Sequence, residues 1–309
     1  MRELWRDRRA AFGLAVLLGA ALVAILAPAV GGDPIAQRDI VATRFLPPLS
    51  TDLDGGFHLL GTDRFGRDVW SRLAYGARVS LGVGTLAVLV SVVVGVAIGA
   101  AAGFWRGWTG TLLLGLTDFA LALPRVVLLL LLASLWQPSA GLVVLVLGLT
   151  GWMTIARLVH GEVRALTVRP FVESAVGLGA TDVRVLVRHI LPNAMTPVIV
   201  AAALGLGNAI MLEAGLSFLG LGVQPPTPSW GNLIASGRDT LVNAPWVAAA
   251  PGIALALVVV GATLLGDAVR DRLDPAVGRS GGRAVGRSGG VGRVLPWHKR
   301  RPRMGNDRV

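Results

Sequence analysis

The sequence contains no cysteine, so disulfide bonds, zinc–thiolate sites and cysteine nucleophiles are excluded. Lysine is almost as scarce, because 28 of the 29 basic side chains are arginine and Lys299 stands alone near the C-terminus. A nucleotide-binding P-loop needs the pattern G-x-x-x-x-G-K-[ST], and no such loop precedes Lys299. ATP hydrolysis by a P-loop in this chain is therefore excluded. The four histidines lack metal-ligand spacing, so we expect no metal site.

Charged residues are also few, at 15% of the chain against about a quarter in a soluble domain. Hydrophobic types make up 53%, and the mean hydropathy is +0.66. Six apolar runs are long enough to cross the hydrocarbon of a bilayer, which predicts an all-α membrane protein with six transmembrane helices. The predicted spans are Ala10–Val30, Val79–Gly103, Leu112–Trp136, Ser139–Val159, Pro197–Leu219 and Trp246–Gly266.

The distribution of arginine and lysine predicts the orientation of these spans. An even number of spans places both termini on one side, and that side carries 21 of the 29 basic residues against seven on the other. Because cytoplasmic loops are enriched in basic residues, we expect both termini to be cytoplasmic and residues 31–79 to be external. The net charge of +11 then indicates cytoplasmic loops near anionic lipid, not nucleic-acid binding.

Composition divides the chain into three regions. Residues 1–78 hold the first span and an extracytoplasmic segment, in which we expect an irregular loop, a short helix and a small amphipathic cap. Residues 79–275 hold the other five spans. They include a proline-rich outer loop within 218–245, whose tryptophan is typical of the membrane interface. Residues 276–309 repeat Gly, Arg and Ser and cannot bury a core, so a disordered basic tail is expected.

The segment 157–196 is too polar to cross a membrane and too regular for a plain linker. One short helix is predicted to end near Gly177 or Gly179, and a second to begin with Thr181 or Asp182 as N-cap. Pro192 and Pro197 are expected to mark the passage into the next span. In the second helix, Arg184 and Arg188 form a basic pair beside an apolar face made of Val183, Leu186, Val187 and Ile190.

Within this segment, E-S-A-V-G-L-G-A followed after ten residues by L-P resembles the "EAA" loop of permease subunits in binding-protein-dependent ABC importers. Five further blocks resemble the C-type permease of the dipeptide/oligopeptide/nickel branch, so that the likeness covers residues 10–275. Ser174 departs from the usual alanine, and Ile190 lies one position late. The blocks are L-G-T-D-R-F-G-R-D-V-W-S-R-L-A-Y-G-A-R (60–78), A-R-L-V-H-G-E-V (156–163), R-H-I-L-P-N (188–193), L-E-A-G-L-S-F-L-G-L-G-V-Q-P-P-T-P-S-W-G-N (212–232) and L-L-G-D-A-V-R-D-R-L-D-P (264–275).

The resemblance implies a type I ABC importer transmembrane domain in a bacterial inner membrane, without catalytic residues or cofactors of its own. Its implied partners are a homologous second permease, two ATPase subunits that bind ATP and Mg²⁺, and an extracytoplasmic solute-binding protein. The loop implies a coupling helix that docks on an ATPase. The residues expected to couple are Glu173, Ser174, Ala175, Gly179, Arg184, Arg188, Leu191 and Pro192.

Three ionisable residues lie within the predicted spans. Each raises the free energy of membrane insertion by about 2.5–3.5 kcal/mol at mid-membrane, so its presence needs a structural or functional explanation. Asp118 and Arg125 are seven residues apart and are expected on one face of the third span, too far apart for a tight pair. Glu213 is expected to have a partner inside the bundle. We favour structural hydrogen bonds over solute contact for Asp118 and Glu213, whereas Arg125 has no assigned role.

Two other classes of protein were weighed against the importer permease. An ion-coupled secondary transporter would explain carboxylates inside spans, but it gives no reason for the helix–turn–helix in 157–196. A membrane enzyme would need a nucleophile, a base or a metal set, and the sequence shows no such group. The pattern does not identify the solute, which could be a dipeptide, a longer peptide, glutathione or nickel.

Overall fold

The computed structural model describes residues 7–273 except Arg38 and Arg106, so the predicted tail 276–309 lies outside the described residues. Within them the fold is almost entirely helical, with one two-stranded hairpin. Five helices are long and apolar enough to cross a membrane, and one bent pair of helices raises the number to six if it forms a single span. The helices are α1 (Arg8–Val30), α2 (Ile40–Thr43), α3 (Val69–Phe104), α4 (Trp108–Ala122), α5 (Arg125–Ser134), α6 (Ala140–Leu166), α7 (Pro170–Gly177), α8 (Asp182–Val185), α9 (Leu191–Phe218), α10 (Trp230–Arg238) and α11 (Trp246–Leu273).

Helices α3 and α6 pack tightly because three glycines of α3, Gly95, Gly99 and Gly103, are spaced by four residues. A Cβ on Gly95 would lie 2.6 Å from Ile155 Cβ, and one on Gly99 would lie 2.9 Å from Val159 Cβ. A Cβ on Gly103 would lie 2.9 Å from the carbonyl oxygen of His160. Small residues spaced by four let two helix backbones approach closely in lipid, where no hydrophobic effect drives the helices together. This contact forms the centre of the bundle.

The third predicted span is not a straight helix, which corrects the sequence prediction. Helices α4 and α5 are bent by 88° at Leu123 and Pro124. Proline disfavours helical backbone in the residue before it, and Leu123 is extended with ψ 135°. Asp118 and Arg125 therefore lie on different helices, so the prediction that they share one face of a single helix was wrong.

Helix α9 also departs from the prediction, because no break separates it from the preceding helical segment. Helical structure is continuous from Asp182 to Phe218, through a π-helical turn at Leu186–Ile190. Pro192 is the second residue of α9, directly after the π-helical turn, and Pro197 lies further inside the helix. The two prolines therefore do not mark a boundary between separate helices.

The segment between α1 and α3 contains a small hairpin in which β1 (Ser50–Thr51) pairs antiparallel with β2 (Phe57–His58). Residues 69–78 are not a separate cap, because they form the first turns of α3. Two arginines of this segment lie near one carboxylate: Asp63 is 2.7 Å from Arg67 Nη2 and 3.8 Å from Arg72 Nε. Asp68 instead contacts the imidazole of His58 at 2.9 Å.

The outer loop within 218–245 contains a helix that the sequence reasoning missed. Helix α10 begins with a capping box, in which the Ser229 hydroxyl accepts from the backbone N–H of Asn232 and the Asn232 amide oxygen accepts from that of Ser229. Trp230 is only 2% exposed and donates its indole N–H to the carbonyl oxygen of Leu73 at 3.1 Å. The prediction of an interfacial tryptophan was therefore wrong, because this side chain joins α10 to α3.

Candidate functional site

Helix α7 is the short helix predicted in the segment 157–196, and it ends at Gly177 as expected. Pro170 occupies its first turn, where the fixed φ of proline favours a helix start. Val172 and Ala175 face inward and are 4% and 8% exposed, whereas Glu173 and Ser174 face outward. Glu173 makes no ion pair within the described part of the chain. The helix therefore has a packed inner face and exposes Glu173 and Ser174 on its outer side.

Gly179 ends this helix through backbone conformation. Its φ is +82°, a left-handed value that other residues rarely adopt. The N–H of Gly179 donates to Val176 O at 2.9 Å, and the N–H of Ala180 donates to Ala175 O at 3.1 Å. These two bonds form a Schellman motif, which satisfies the last carbonyl groups of the helix. The chain can then turn sharply towards α8.

The second arm begins where the sequence predicted, with Thr181 as N-cap of α8, although its side chain makes no capping hydrogen bond. Its predicted apolar face is only half correct. Leu186 and Ile190 are buried at 7% and 0% exposure, but Val183 and Val187 are 62% and 56% exposed. The π-helical turn at Leu186–Ile190 shifts the helical register, so Val185 is buried in their place.

Between the two arms lies a groove of about 500 Å³, which we call the coupling groove. Five of the eight residues predicted to couple line it, whereas Glu173 lies on the outer face of α7, and Leu191 and Pro192 lie at the start of α9. The lining contains two exposed arginines and no carboxylate, so the groove favours an acidic partner. Its lining residues are Phe171, Ser174, Ala175, Leu178, Gly179, Ala180, Arg184, Arg188 and His189.

Sequence reasoning missed the apolar residues around this groove. Phe171 is 42% exposed, Val176 is 54% exposed and Leu178 is 90% exposed. Apolar side chains grouped on the surface of a polar segment are typical of contact surfaces. The signal was present in the sequence, because α7 has apolar residues at more positions than one buried face requires.

The inner faces of both arms belong to one hydrophobic core that reaches the spans. Val172 and Ala175 of α7 share a cluster with Val185, Leu186 and Ile190 of the second arm. The same cluster includes residues of three long helices, namely Ala100 of α3, Ile155, Val159 and Val163 of α6, and Ala194 and Val198 of α9. Helix α7 is therefore packed, through this shared core, against three of the long helices.

The two carboxylates singled out in the spans have different surroundings. Asp118 lies 3.6 Å from Arg157 Nη1, and this pair between α4 and α6 is half-exposed, so it contributes little stability. Glu213 is completely buried and accepts a 2.8 Å hydrogen bond from the Ser217 hydroxyl. The Glu213 partner inside the bundle, expected from the sequence, is therefore present.

The hydroxyls of Ser80 and Ser229 lie near the same Glu213 carboxyl group, although its second oxygen, Oε2, has no hydrogen-bond partner among the described residues. Each serine accepts a backbone N–H from the loop or from α10: Ser217 from Val223 at 3.0 Å, Ser80 from Trp230 at 3.1 Å and Ser229 from Asn232 at 3.3 Å. A buried polar network of this kind fixes a single arrangement of its segments. The hydrogen bonds of these serines join α3 and α9 to the loop and to α10, and a structural role for Glu213 stays a prediction.

Comparison with known proteins identifies the family. Residues 95–279 match the family described as "Binding-protein-dependent transport system inner membrane component". The chain belongs to this family. It is therefore a multi-pass protein of the bacterial inner membrane, in agreement with its apolar helices.

Individual members of the family align with 71% to 89% of the chain. The chain is 35% identical to the dipeptide transport system permease protein of Alkalihalophilus pseudofirmus, over 89% of this chain and 88% of that protein. It is 38% identical to the di/tripeptide transport system permease protein of Pseudomonas aeruginosa, over 89% and 92%. It is 38% identical to the glutathione transport system permease protein of Pectobacterium atrosepticum, over 71% and 72%. These names confirm the sequence-based interpretation as an importer permease and give no support to an ion-coupled transporter.

Proposed function

We propose that this chain is the non-catalytic permease subunit of an ATP-driven importer and forms half of the pathway for di- or oligopeptides or a related small solute. The names of the aligned relatives, which specify peptide, dipeptide and glutathione transport, support this solute class. The observation that carries the proposal is the coupling groove, whose exposed lining is basic and apolar. The helices that form it pack, through their inner faces, against three long helices. Such a surface suits the docking of a soluble motor subunit.

In this proposal the bent pair α4–α5 is the third of six spans, and both termini are cytoplasmic. The excess of arginine and lysine on the side of the coupling groove supports this orientation. The hairpin and α10 then face the outside, where a solute-binding protein delivers its cargo. A homologous second permease completes the pathway, and anionic lipid surrounds the cytoplasmic arginines.

Helix α7 docks into one of two ATPase subunits, which bind ATP and Mg²⁺ and carry out hydrolysis. Glu173 supplies a charge-assisted hydrogen bond to the ATPase, while Arg184 and Arg188 attract acidic groups. Phe171 and Leu178 add apolar contact area. When ATP draws the two ATPases together, α7 moves with its ATPase, and the shared core moves α3, α6 and α9. The paired permeases then open alternately to the two sides.

Replacement of Glu173 by alanine tests this docking. A buried charge-assisted hydrogen bond contributes about 1.5–3 kcal/mol, so Glu173→Ala is expected to weaken ATPase association about tenfold or more. Folding is expected to be unchanged, because the side chain makes no ion pair in the described residues of the free subunit. The measurement is co-purification of the ATPases, together with solute-stimulated ATP hydrolysis after reconstitution.

The matched control is Asp239→Ala, which removes another exposed carboxylate from the end of α10, far along the chain from the coupling groove. Normal ATPase binding and normal stimulated hydrolysis in Glu173→Ala would contradict the assigned role of this side chain. The wider proposal is tested by ATP-dependent uptake of labelled dipeptide, longer peptide, glutathione and nickel into vesicles that contain the whole complex. Absence of ATP-dependent uptake of every solute would contradict it.

A further inference from the structure

Arg125 is a charged residue in an apolar part of the bundle, and no ion pair or hydrogen bond among the described residues accounts for it. It is the first residue of α5 and is exposed. Across the described ranges it makes no ion pair or hydrogen bond. Its Nη2 atom lies 3.6 Å from the position that a Cβ on Gly151 would occupy, which places the guanidinium against α6. An arginine that faced lipid hydrocarbon at this depth would be costly, so its surroundings must supply water or a counter-charge.

A cavity of about 160 Å³ lies beside this guanidinium. Its polar lining consists of Arg125, Ser91, Thr154 and Asn208, and the other lining residues are small or aliphatic. Ser91 donates its hydroxyl to Gly148 O at 3.1 Å and is therefore satisfied. The side chains of Thr154 and Asn208 are exposed and, like Arg125, have no hydrogen-bond partner within the described part of the chain. Three polar side chains without partners thus converge on one cavity.

The depth of the cavity follows from the helices that form it. Ser91, Thr154 and Asn208 lie near the middle of α3, α6 and α9, three helices long enough to cross a membrane. The cavity therefore lies near the centre of the bilayer, and its polar side faces away from the core of this subunit. Its size matches about five water molecules or one small charged group with its hydration, because a water molecule takes up about 30 Å³ in the liquid.

We propose that Arg125, Thr154 and Asn208 form an anion-binding subsite on the translocation pathway, which receives a carboxylate of the transported solute. This inference rests on the proposed function, in which the polar face of this subunit lines the pathway. A guanidinium binds a carboxylate through two parallel N–H donors, and the threonine hydroxyl and asparagine amide supply further donors. The C-terminal carboxylate of a peptide is a solute group of the required charge and size.

The first test measures whether the subsite is wet and positively charged, and it does not depend on transport. Because the chain lacks cysteine, Thr154→Cys provides a single thiol in the subunit for anionic and cationic methanethiosulfonates. In the reconstituted complex, the anionic reagent is expected to react faster. Arg125→Gln should lower the ratio of anionic to cationic rates about tenfold, as expected for loss of one nearby charge. Arg125→Lys should preserve the ratio.

Arg238→Gln is the control and should leave the rate ratio unchanged. Arg238 is an exposed arginine at the end of α10, and it pairs with its neighbour Asp239. A Thr154→Cys thiol that reacts with neither reagent would overturn the subsite, and so would a rate ratio that Arg125→Gln leaves unchanged. Loss of the second permease on purification of Arg125→Gln would also overturn it, because Arg125 would then form an ion pair between the permeases.

The second test measures selectivity with a labelled dipeptide and its C-terminal amide, each corrected for its affinity for the binding protein. Arg125→Gln is expected to reduce ATP-dependent uptake of the free carboxylate about tenfold relative to the amide, while Arg125→Lys retains the preference. Equal reduction of both solutes, or no reduction, would overturn the subsite while the importer function stands. A wild-type complex that imports neither solute would contradict the proposed function instead, and the labelling ratio would still decide the subsite.

Discussion

Leu178 offers the sharpest test of docking at the coupling groove, because its side chain is 90% exposed in the free subunit. An exposed leucine contributes little to folding, so Leu178→Ala should leave the subunit folded and inserted. If the ATPase covers this side chain, the substitution removes three buried carbon atoms from the interface. At about 0.8 kcal/mol for each buried methylene, the loss is about 2 kcal/mol. A loss of that size weakens association roughly thirtyfold.

The assay is the concentration of purified ATPase needed for half-maximal binding to the permease pair in nanodiscs. Leu53→Ala is the matched control, since Leu53 is 88% exposed but lies in the turn between β1 and β2, which the proposed topology places outside. The control should bind ATPase normally. If Leu178→Ala and Leu53→Ala bound ATPase with equal, wild-type affinity, the apolar part of the coupling groove would not be a docking surface.

Three further substitutions test the bend, the bundle and the orientation. Gly179→Val should uncouple transport from ATP hydrolysis, because a β-branched residue at φ +82° is strained by about 1–3 kcal/mol; wild-type coupling of uptake to hydrolysis would refute this. Gly99→Leu should prevent the bundle from packing, because even a Cβ at this position would lie 2.9 Å from Val159 Cβ. Gly82→Leu is the control, because no atom lies within 4 Å of its Cβ position. Thermal unfolding in detergent should show a large loss of stability for Gly99→Leu and little for Gly82→Leu. Ser50→Cys should react with a membrane-impermeant thiol reagent in intact cells; labelling only after permeabilisation would reverse the proposed topology.

Much of the fold could be predicted from composition and local pattern. Long apolar runs require helices in lipid, because every backbone polar group must then be satisfied within its own segment. The six predicted runs therefore correspond to five long helices and one bent pair. The end of α7 could also be predicted from the local sequence, since only glycine readily adopts the left-handed backbone found at Gly179.

Features that depend on distant partners could not be predicted in this way. The sequence marked Glu213 as needing a partner, but not that serines on α3, α9 and before α10 would meet it. Helix α10 was missed although Ser229 and Asn232 form a capping box, because the helix is short and the burial of Trp230 against α3 is not visible in the local sequence.

The candidate site likewise has features that the local sequence predicts and features that depend on distant residues. The sequence by itself determined that 157–196 forms a helix, a glycine turn and a basic second helix, because these depend on residues near each other in the chain. Only the tertiary structure decided that Arg184 and Arg188 share a groove with Leu178, and that Arg125 faces Thr154 and Asn208 across a cavity. The bend at Pro124 separated Arg125 from Asp118, and the packing of α3, α6 and α9 brought residues far apart in sequence around it. Local preferences set the elements, whereas the close packing of whole helices set which side chains meet.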